Sequence, residues 1–364
     1  MRLGINGRFR AARITGVQRV AHALLKRLPH LTPCTLFLPH GSVPPADLPP
    51  HVRVCTGRLR GHAWEQLELP GVARADGCDV MLHLAGTVPR GGPPGIALLH
   101  DVLPLTNPEW FSRRYVAWFR YAVGRNARRT ARIITVSSWS ADEIRRALRM
   151  PTRRVTVIPQ AVAPFDAPAP AEEVVRIRDE LRLPDRYLLA LGWGDPRKNV
   201  SFLFRVRDTW HATGEAPPVL VVVGAALPRV HGRPPERPAD PDIHLLGHVE
   251  DRVLHALYTG ATALCFPSLA EGHGRPPLEA AACGAPAVAA PYTAALEVLG
   301  EQADIVPLDA DAWVAALRSL ERDPSRRAAN VEHLRSRTRH LTWDASAQAV
   351  LNACSAVAGR RGVP

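Results

Sequence analysis

The sequence predicts an α/β protein of two domains, each a parallel sheet covered by helices. Three observations carry that expectation. A chain of 364 residues is long enough to close two hydrophobic cores. Short apolar runs alternate with helical patterns through both halves, which is how βα units and a parallel sheet read. Between the halves, Pro159 to Pro170 is rich in Pro and Ala, as a connection between domains is.

Taken in order, Arg2 to Asn6 reads as a strand, Gly16 to Leu28 as a helix, and Thr35 to Leu38, Val52 to Cys55, Val80 to Leu84 and Ile96 to Leu99 as further strands. Gly16 opens its helix directly after the first strand's loop and lets a ligand come close to the helix N-terminus. His100 and Asp101 follow the strand ending at Leu99, at the end where open parallel sheets bind ligands. Residues 110–131 read as one amphipathic helix. Phe111, Tyr115, Trp118, Phe119 and Ala122 share one arc; Arg113, Arg114, Arg120, Arg125, Arg128 and Arg132 share the opposite one. Such a helix suits an anionic lipid surface or a phosphate-bearing acceptor, and a solvated face over a core-packed stripe accounts for the same pattern. Ile133 to Val136 reads as a strand, Ser140-Ala-Asp-Glu143 as a capping box, and Val155 to Ile158 as the last strand of the first half.

The second half repeats the alternation. Tyr187 to Leu191 is a strand, followed by Gly192-Trp-Gly-Asp195-Pro-Arg197-Lys198-Asn199 and a helix to about Thr213. Two adjacent cations between a strand and a helix make an anion site, with a solvated surface pair as the other reading. Val219 to Val223, Ile243 to Leu246 and Asp304 to Val306 read as strands, and a helix begins at Ala310; the Pro- and Arg-rich stretch 226–242 suggests no element. After the buried strand Ala263 to Phe266 comes Ser268-Leu-Ala-Glu271-Gly-His-Gly274-Arg275-Pro-Pro-Leu-Glu279-Ala-Ala-Ala-Cys283-Gly284-Ala-Pro286. Two glycines turn the chain, Pro277 opens a short helix and Gly284 ends it. Glu271 and Glu279 flank this anion-friendly turn and can face one ligand.

Composition narrows the function classes. The six cysteines have neither paired nor metal-like spacing, so reduced thiols in the cytoplasm are expected. The start lacks a signal-peptide core, and no run of about eighteen apolar residues occurs. A net charge of +12 suits nucleic acid, an anionic membrane or an acidic small substrate, but no nucleic-acid motif accompanies it.

The Glu271-to-Glu279 run resembles the EGFGLPxLEAMACGTPVV signature of retaining family 4 glycosyltransferases of the group 1 type, nearly the whole run matching in register. Ile14-Thr-Gly16-Val-Gln-Arg19 is similar to that family's TGIxR element, His100 to Phe111 to its HDLxPLxxPEWF segment, Gly192 to Asn199 to its GxxEPRKN element, and Gly247-His-Val249-Glu-Asp251 to its G-x-V-x-D. The resemblance implies the GT-B architecture: two Rossmann-like α/β/α domains facing across a cleft. Residues 1–165 would be the acceptor side and 176–341 the donor side, with a final helix at 342–358 crossing back onto the first domain. It further implies that Glu271, with Gly272, His273 and Gly274, meets the donor sugar, that Glu279 binds the ribose, and that Arg197 and Lys198 hold the diphosphate. His100 would stand beside the sugar, Gly16 and Gly192 near the phosphates, Val249 near the base, and Leu278 and Arg275 within the donor site.

Two departures stand out. His273 replaces an aromatic residue and Arg275 an aliphatic one; pairing of Arg275 with Glu271 is expected, so that it tunes donor choice. The expected reaction is retaining transfer of a hexosyl unit, from GDP-mannose first and UDP- or dTDP-sugars next, to a saccharide, lipid-linked or small-molecule acceptor. Mannose is favoured because the TGVQR and HDVLPL segments resemble bacterial polysaccharide mannosyl enzymes. No cofactor or metal is expected: Asp240-Pro-Asp242 lies in the Pro-rich stretch and Asp309-Ala-Asp311 begins a helix. Two glycosidase carboxylates would explain Glu271 and Glu279 but not Arg197 and Lys198. A GT-B nucleotide-sugar epimerase, which releases no glycosylated acceptor, and a silent nucleotide-sugar-binding protein at a membrane surface are the alternative readings. The protein is expected in the cytoplasm, peripheral at the inner face of the membrane.

Overall fold

In the computed structural model, residues 1–12, 15–158, 160–162, 165, 167–231 and 240–359 are described. The chain divides into two compact units, one of Met1–Thr106, Val116–Ala161 and Leu341–Pro364, the other of Asn107–Tyr115 and Val162–His340.

Unit 1 is built on β1 (Leu3–Asn6), β2 (Cys34–Leu38), β3 (Arg53–Thr56), β4 (Val80–His83), β5 (Gly95–Leu98), β6 (Arg132–Thr135) and β7 (Val155–Val157). They lie in the order β3-β2-β1-β4-β5-β6-β7, every neighbouring pair parallel. β1, β2, β4 and β5 are buried along their whole length, as strands covered on both faces must be, and their Val, Leu and Ile content suits that place. The winding reverses between β1 and β4, where Asn6 pairs in register with His83. The helix Gly16–Leu31 buries Val20, Ala21, Leu24, Leu25 and Leu28, an apolar stripe at three- and four-residue spacing. The last helix, Trp343–Ala358, is capped by Thr342, whose Oγ1 accepts from the Ala345 N–H at 3.1 Å. It packs on Gly16–Leu31, with Arg27 Nε 3.1 Å from Asp344.

Unit 2 holds β8 (Tyr187–Leu191), β9 (Val219–Val223), β10 (Ile243–Gly247), β11 (Ala263–Phe266) and β12 (Ala287–Ala289), all parallel in the order β10-β9-β8-β11-β12. Its winding reverses between β8 and β11. Phe202 and Trp313 meet edge-on, ring centroids 5.4 Å apart, in the core beneath the sheet.

Four expectations are corrected. Residues 110–131 do not form one helix: a 3-10 turn Pro108–Trp110, an α-helix Arg113–Phe119 and a π-helical segment Arg120–Arg125 succeed one another. The expected apolar arc is divided accordingly, because Phe111 and Tyr115 stack on each other in unit 2 while Phe119 and Ala122 are buried in unit 1. Arg132 leaves the basic arc for β6, donating to Thr156 Oγ1 at 3.2 Å. The helix Ser138–Leu148 is capped by Ser137, whose Oγ accepts from the Ser140 N–H at 3.0 Å, so Ser140 is inside the helix and not its cap. Asp304 to Val306 contributes only a single bridge, Ile305 to Ala289, the Ala289 N–H donating to the Asp304 carbonyl at 3.0 Å and the Val306 N–H to the Ala289 carbonyl at 2.8 Å before Pro307, which has no N–H to extend the ladder. In the stretch 226–242, Pro228–His231 is a short helical turn. Ile14, Pro159 and residues 232–239 lie outside the described residues.

Candidate functional site

Open parallel sheets bind ligands beyond the carboxyl ends of their strands, where the winding reverses. In unit 2 that point carries the loops after β8 and β11. The first begins at Gly192, whose φ of +96° suits glycine; a Cβ there would come within 2.5 Å of the Lys198 stem. Asp195 caps the 3-10 turn Pro196–Lys198 by accepting from the Arg197 N–H at 3.0 Å. The same carboxylate takes the Arg197 guanidinium through Nε at 3.1 Å and Nη2 at 2.7 Å. Burial would raise the Asp195 carboxyl, but Arg197 and the neighbouring His231 and Lys198 hold it below its ordinary value.

The second loop is tied to the first by the Leu269 N–H, which donates to the Arg197 carbonyl at 2.8 Å. It delivers Glu271, 9% exposed, onto Lys198: Nζ lies 2.7 Å from Oε1, and the ammonium sits 4.9 Å from the Phe266 ring centroid. Thr293 fixes the Glu271 backbone, its Oγ1 donating to the carbonyl at 2.8 Å and accepting from the N–H at 3.1 Å. Gly274 turns with φ +81°, and a Cβ there would meet the Tyr292 hydroxyl at 2.3 Å. That hydroxyl donates to the His273 carbonyl at 3.1 Å. Burial pushes the His273 imidazole down to about 4, so it is neutral at neutral pH.

The helix Pro276–Ala282 then sets Glu279, whose Oε2 accepts from the Tyr258 hydroxyl at 2.9 Å while Arg275 Nη2 stands 3.6 Å from Oε1. Arg275 therefore pairs with Glu279, four residues on along one helix face, and not with Glu271 as expected; Lys198 already occupies that carboxylate. Leu278 is buried in the core and backs this helix.

The structure thus brings Gly192, Arg197, Lys198 and Glu271 into one cluster, and Arg275 and Glu279 into a second one along the same motif. Val249 follows the edge strand β10, two strands away from β8. Gly16 and His100 belong to unit 1, where the His100 carbonyl accepts from Thr135 Oγ1 at 3.5 Å and Asp101 Oδ1 accepts from the Leu103 N–H at 3.0 Å.

Sequence reasoning missed Tyr258, Thr293 and a strap over Arg197. Phe111 lies 5.7 Å from the Arg197 guanidinium and 5.3 Å from the His231 ring. The Ser112 N–H donates to the Val230 carbonyl at 2.7 Å, and His231 bonds to the Trp110 carbonyl at 3.2 Å. No local pattern joins residues so far apart in the chain.

Of the four carboxylates in the two Asp-x-Asp triplets, three have partners of their own. Arg207, 2% exposed, is 3.0 Å from Asp240 and 3.5 Å from Asp242, and Asp309 Oδ1 caps the helix Ala310–Arg322 through the Ala312 N–H at 2.9 Å. Among the described residues no helix is long and apolar enough to cross a membrane.

Residues 174–337 match the family model described as Glycosyl transferases group 1, and residues 14–165 match the model described as Glycosyltransferase Family 4. The chain is 28% identical over 264 residues to O-antigen chain mannosyltransferase B of Escherichia coli, covering 71% of this chain and 69% of that protein. It is 25% identical over 229 residues to O-antigen chain mannosyltransferase RfbU of Salmonella typhimurium, covering 62% of this chain and 60% of the relative. Among solved structures, Anabaena Alr3699/HepE in complex with UDP and glucose superposes with a TM-score of 0.69 at 17% identity, covering 98% of this chain and 100% of that one.

Proposed function

The chain belongs to the group 1 glycosyl transferases, a GT-B fold whose first half is of the Family 4 type, and from that premise we propose the reaction it performs. It moves a hexosyl unit, mannose by preference, from a nucleotide diphosphate sugar to a saccharide, lipid-linked or small-molecule acceptor. The anomeric configuration is retained and no metal takes part. The observation that carries this reading is the Lys198–Glu271 ion pair at 2.7 Å, with Arg197 on the adjoining turn, at the winding reversal of a parallel sheet. On exchanging Glu271 for a phosphate, Lys198 would meet the charge of a departing diphosphate beside the Asp195-held Arg197, and the freed carboxylate with the Gly272–Gly274 backbone would meet the hydroxyls of a held sugar. Glu279, fixed by Tyr258, is assigned the ribose; Val249, Gly16 and His100 keep the donor-side roles expected above.

Metal independence is supported by the capture of Asp240 and Asp242 by Arg207, which leaves cationic side chains to offset the leaving group. The mannosyltransferase relatives favour mannose as the unit moved, with GDP-mannose proposed as its donor, whereas the UDP held by HepE keeps UDP-sugars in the comparison. In unit 1, Arg120, Arg125 and Arg128 line a cavity of about 730 Å³ together with Tyr121 and Leu148. That cationic groove supports an anionic membrane surface as the place of work, on the cytoplasmic side.

Thermal shifts with GDP-mannose, UDP-glucose and dTDP-glucose identify the donor, since the one bound tightly raises the melting temperature most. Transfer measured in EDTA, followed by NMR of the product's anomeric proton, tests the rest. A β linkage from an α donor, or activity that titrates with added manganese, overturns the reading.

A further inference from the structure

Part of the Pro- and Ala-rich connection is docked on unit 2. Phe165, 6% exposed, belongs to that unit and lies on the helix Asp251–Gly260. Its ring stacks on His255, centroids 4.5 Å apart and 8° from parallel, and meets Tyr258 edge-on at 6.0 Å. His255 Nε2 lies 2.7 Å from the Ala167 carbonyl; only a protonated ring nitrogen donates to a carbonyl, so this bond fixes the tautomer. Two residues on, the Ala169 N–H donates to Thr259 Oγ1 at 2.9 Å, and that hydroxyl donates to the His255 carbonyl at 3.0 Å. His255, Tyr258 and Thr259, at three- and four-residue spacing, form one helix face, and the connection is held along it.

Tyr258 carries this docking through to Glu279. It is fully buried, and its hydroxyl donates to Glu279 Oε2 at 2.9 Å. Burial and the adjoining carboxylate push the phenol well above its ordinary value, so it keeps its proton and acts as donor. A phenylalanine would fill nearly the same space, so what the hydroxyl adds is the fixed carboxylate. One phenol takes one of the roughly four acceptor positions of a carboxylate. Arg275 Nη2, 3.6 Å from Oε1, pairs by charge and stands too far off for a hydrogen bond. Glu279 is therefore oriented without being used up, which suits a group that still has to accept from the hydroxyls of a ligand.

We propose that Phe165, His255 and Tyr258 are positioning residues for ribose recognition: the docked connection holds Tyr258, and Tyr258 holds the Glu279 carboxylate in the orientation that vicinal hydroxyls require. This rests on the ribose assigned to Glu279 above. Calorimetry on the full chain tests it with GDP and UDP, each beside its 2′,3′-dideoxy form, because a purely structural role lowers both members of a pair alike. The nucleotide that binds is expected to exceed its dideoxy form by about tenfold or more, as hydroxyls bonded to a carboxylate do. Glu279→Gln should cut that ratio about tenfold, Tyr258→Phe about fivefold and Phe165→Leu about threefold, with the dideoxy affinity unchanged. Melting curves show which variants are folded. His255→Gln, which loses the stack and can still donate to the Ala167 carbonyl, takes the place of Phe165→Leu if that variant unfolds. An intact ratio in folded Tyr258→Phe, or in the folded connection variant, while Glu279→Gln loses it, overturns the proposal and leaves the ribose reading standing. Equal losses for a nucleotide and its dideoxy form overturn it too, since packing alone explains them. A ratio near one in the unmodified chain, a ratio unmoved in Glu279→Gln, or binding of neither nucleotide overturns the ribose reading, and the positioning falls with it.

Discussion

Each unit places a glutamate where its sheet reverses winding, and the two are treated in opposite ways. Glu65 of unit 1 is closed off, surrounded by Asn6, Arg8, His62 and Thr87. Glu271 of unit 2 is 9% exposed and meets one cation, Lys198, while its backbone is fixed separately through Thr293. A closed network gives up stability when its centre is removed, because Asn6 and Thr87 are left buried without that partner. A single pair can exchange partners, so on the proposed reading Lys198 would leave Glu271 for a phosphate and free the carboxylate for a hydroxyl in the same movement. The first arrangement fixes geometry and the second is suited to turnover.

Breaking the closed cluster should have the largest effect. Glu65→Ala is expected to lower stability by about 3–5 kcal/mol in urea unfolding, the usual loss when one partner of a buried charge network goes. Glu271→Ala, which strips one partner from one cation, should cost less, about 1–3 kcal/mol; equal losses would erase the distinction between the two units. Next come Lys198→Ala and Arg197→Ala, each expected to reduce turnover about 100-fold with little change in melting temperature. Near-normal turnover in both places the diphosphate elsewhere.

A smaller effect sharpens the pairing within the motif. Since Arg275 stands on Glu279, Arg275→Leu should weaken nucleotide affinity about fivefold in calorimetry, by loosening a carboxylate assigned to the ribose. An unchanged affinity with altered sugar preference would return Arg275 to the sugar.

A separate effect is expected in acid. Glu65 sits at about 2 against an ordinary 4.5, so the unfolded chain takes the proton first: its contribution is complete above pH 4.5 and is lost as pH falls toward 2. His83, buried and neutral at about 4 against 6.5, acts in the same direction between pH 6.5 and 4. Stability measured against pH should therefore fall in both windows, and Glu65→Gln should flatten the lower one.

How much of this was legible follows from how far apart the partners are. The strand–turn–helix stretch around Glu271 was readable because a buried run, two glycines, a proline and a terminal glycine lie within a short span. Lys198 was readable for the same reason. Its pairing with Glu271 was not, since a cation after β8 meets a carboxylate after β11 only once the sheet sets those strands side by side. Glu65 was invisible because Asn6, Arg8 and Thr87 reach it from other elements, and its own stretch has no motif to mark it. The break in 110–131 was hidden too. An apolar periodicity can be continuous although its residues serve two different cores, as Phe111 and Phe119 do.

That division has a consequence for how such chains can be recombined. Unit 2 is not a continuous piece of sequence, since Asn107–Tyr115 belongs to it as well as Val162–His340. Exchanging residues 162–340 between two related chains would carry Arg197 and His231 across and leave Phe111 behind. A chimera joined there would inherit Arg197 and His231 with a foreign ring against them, or with none. Joining instead so that 107–115 travels with its unit keeps that stack intact, and the boundary between interchangeable parts is set by this aromatic contact more than by the Pro- and Ala-rich connection.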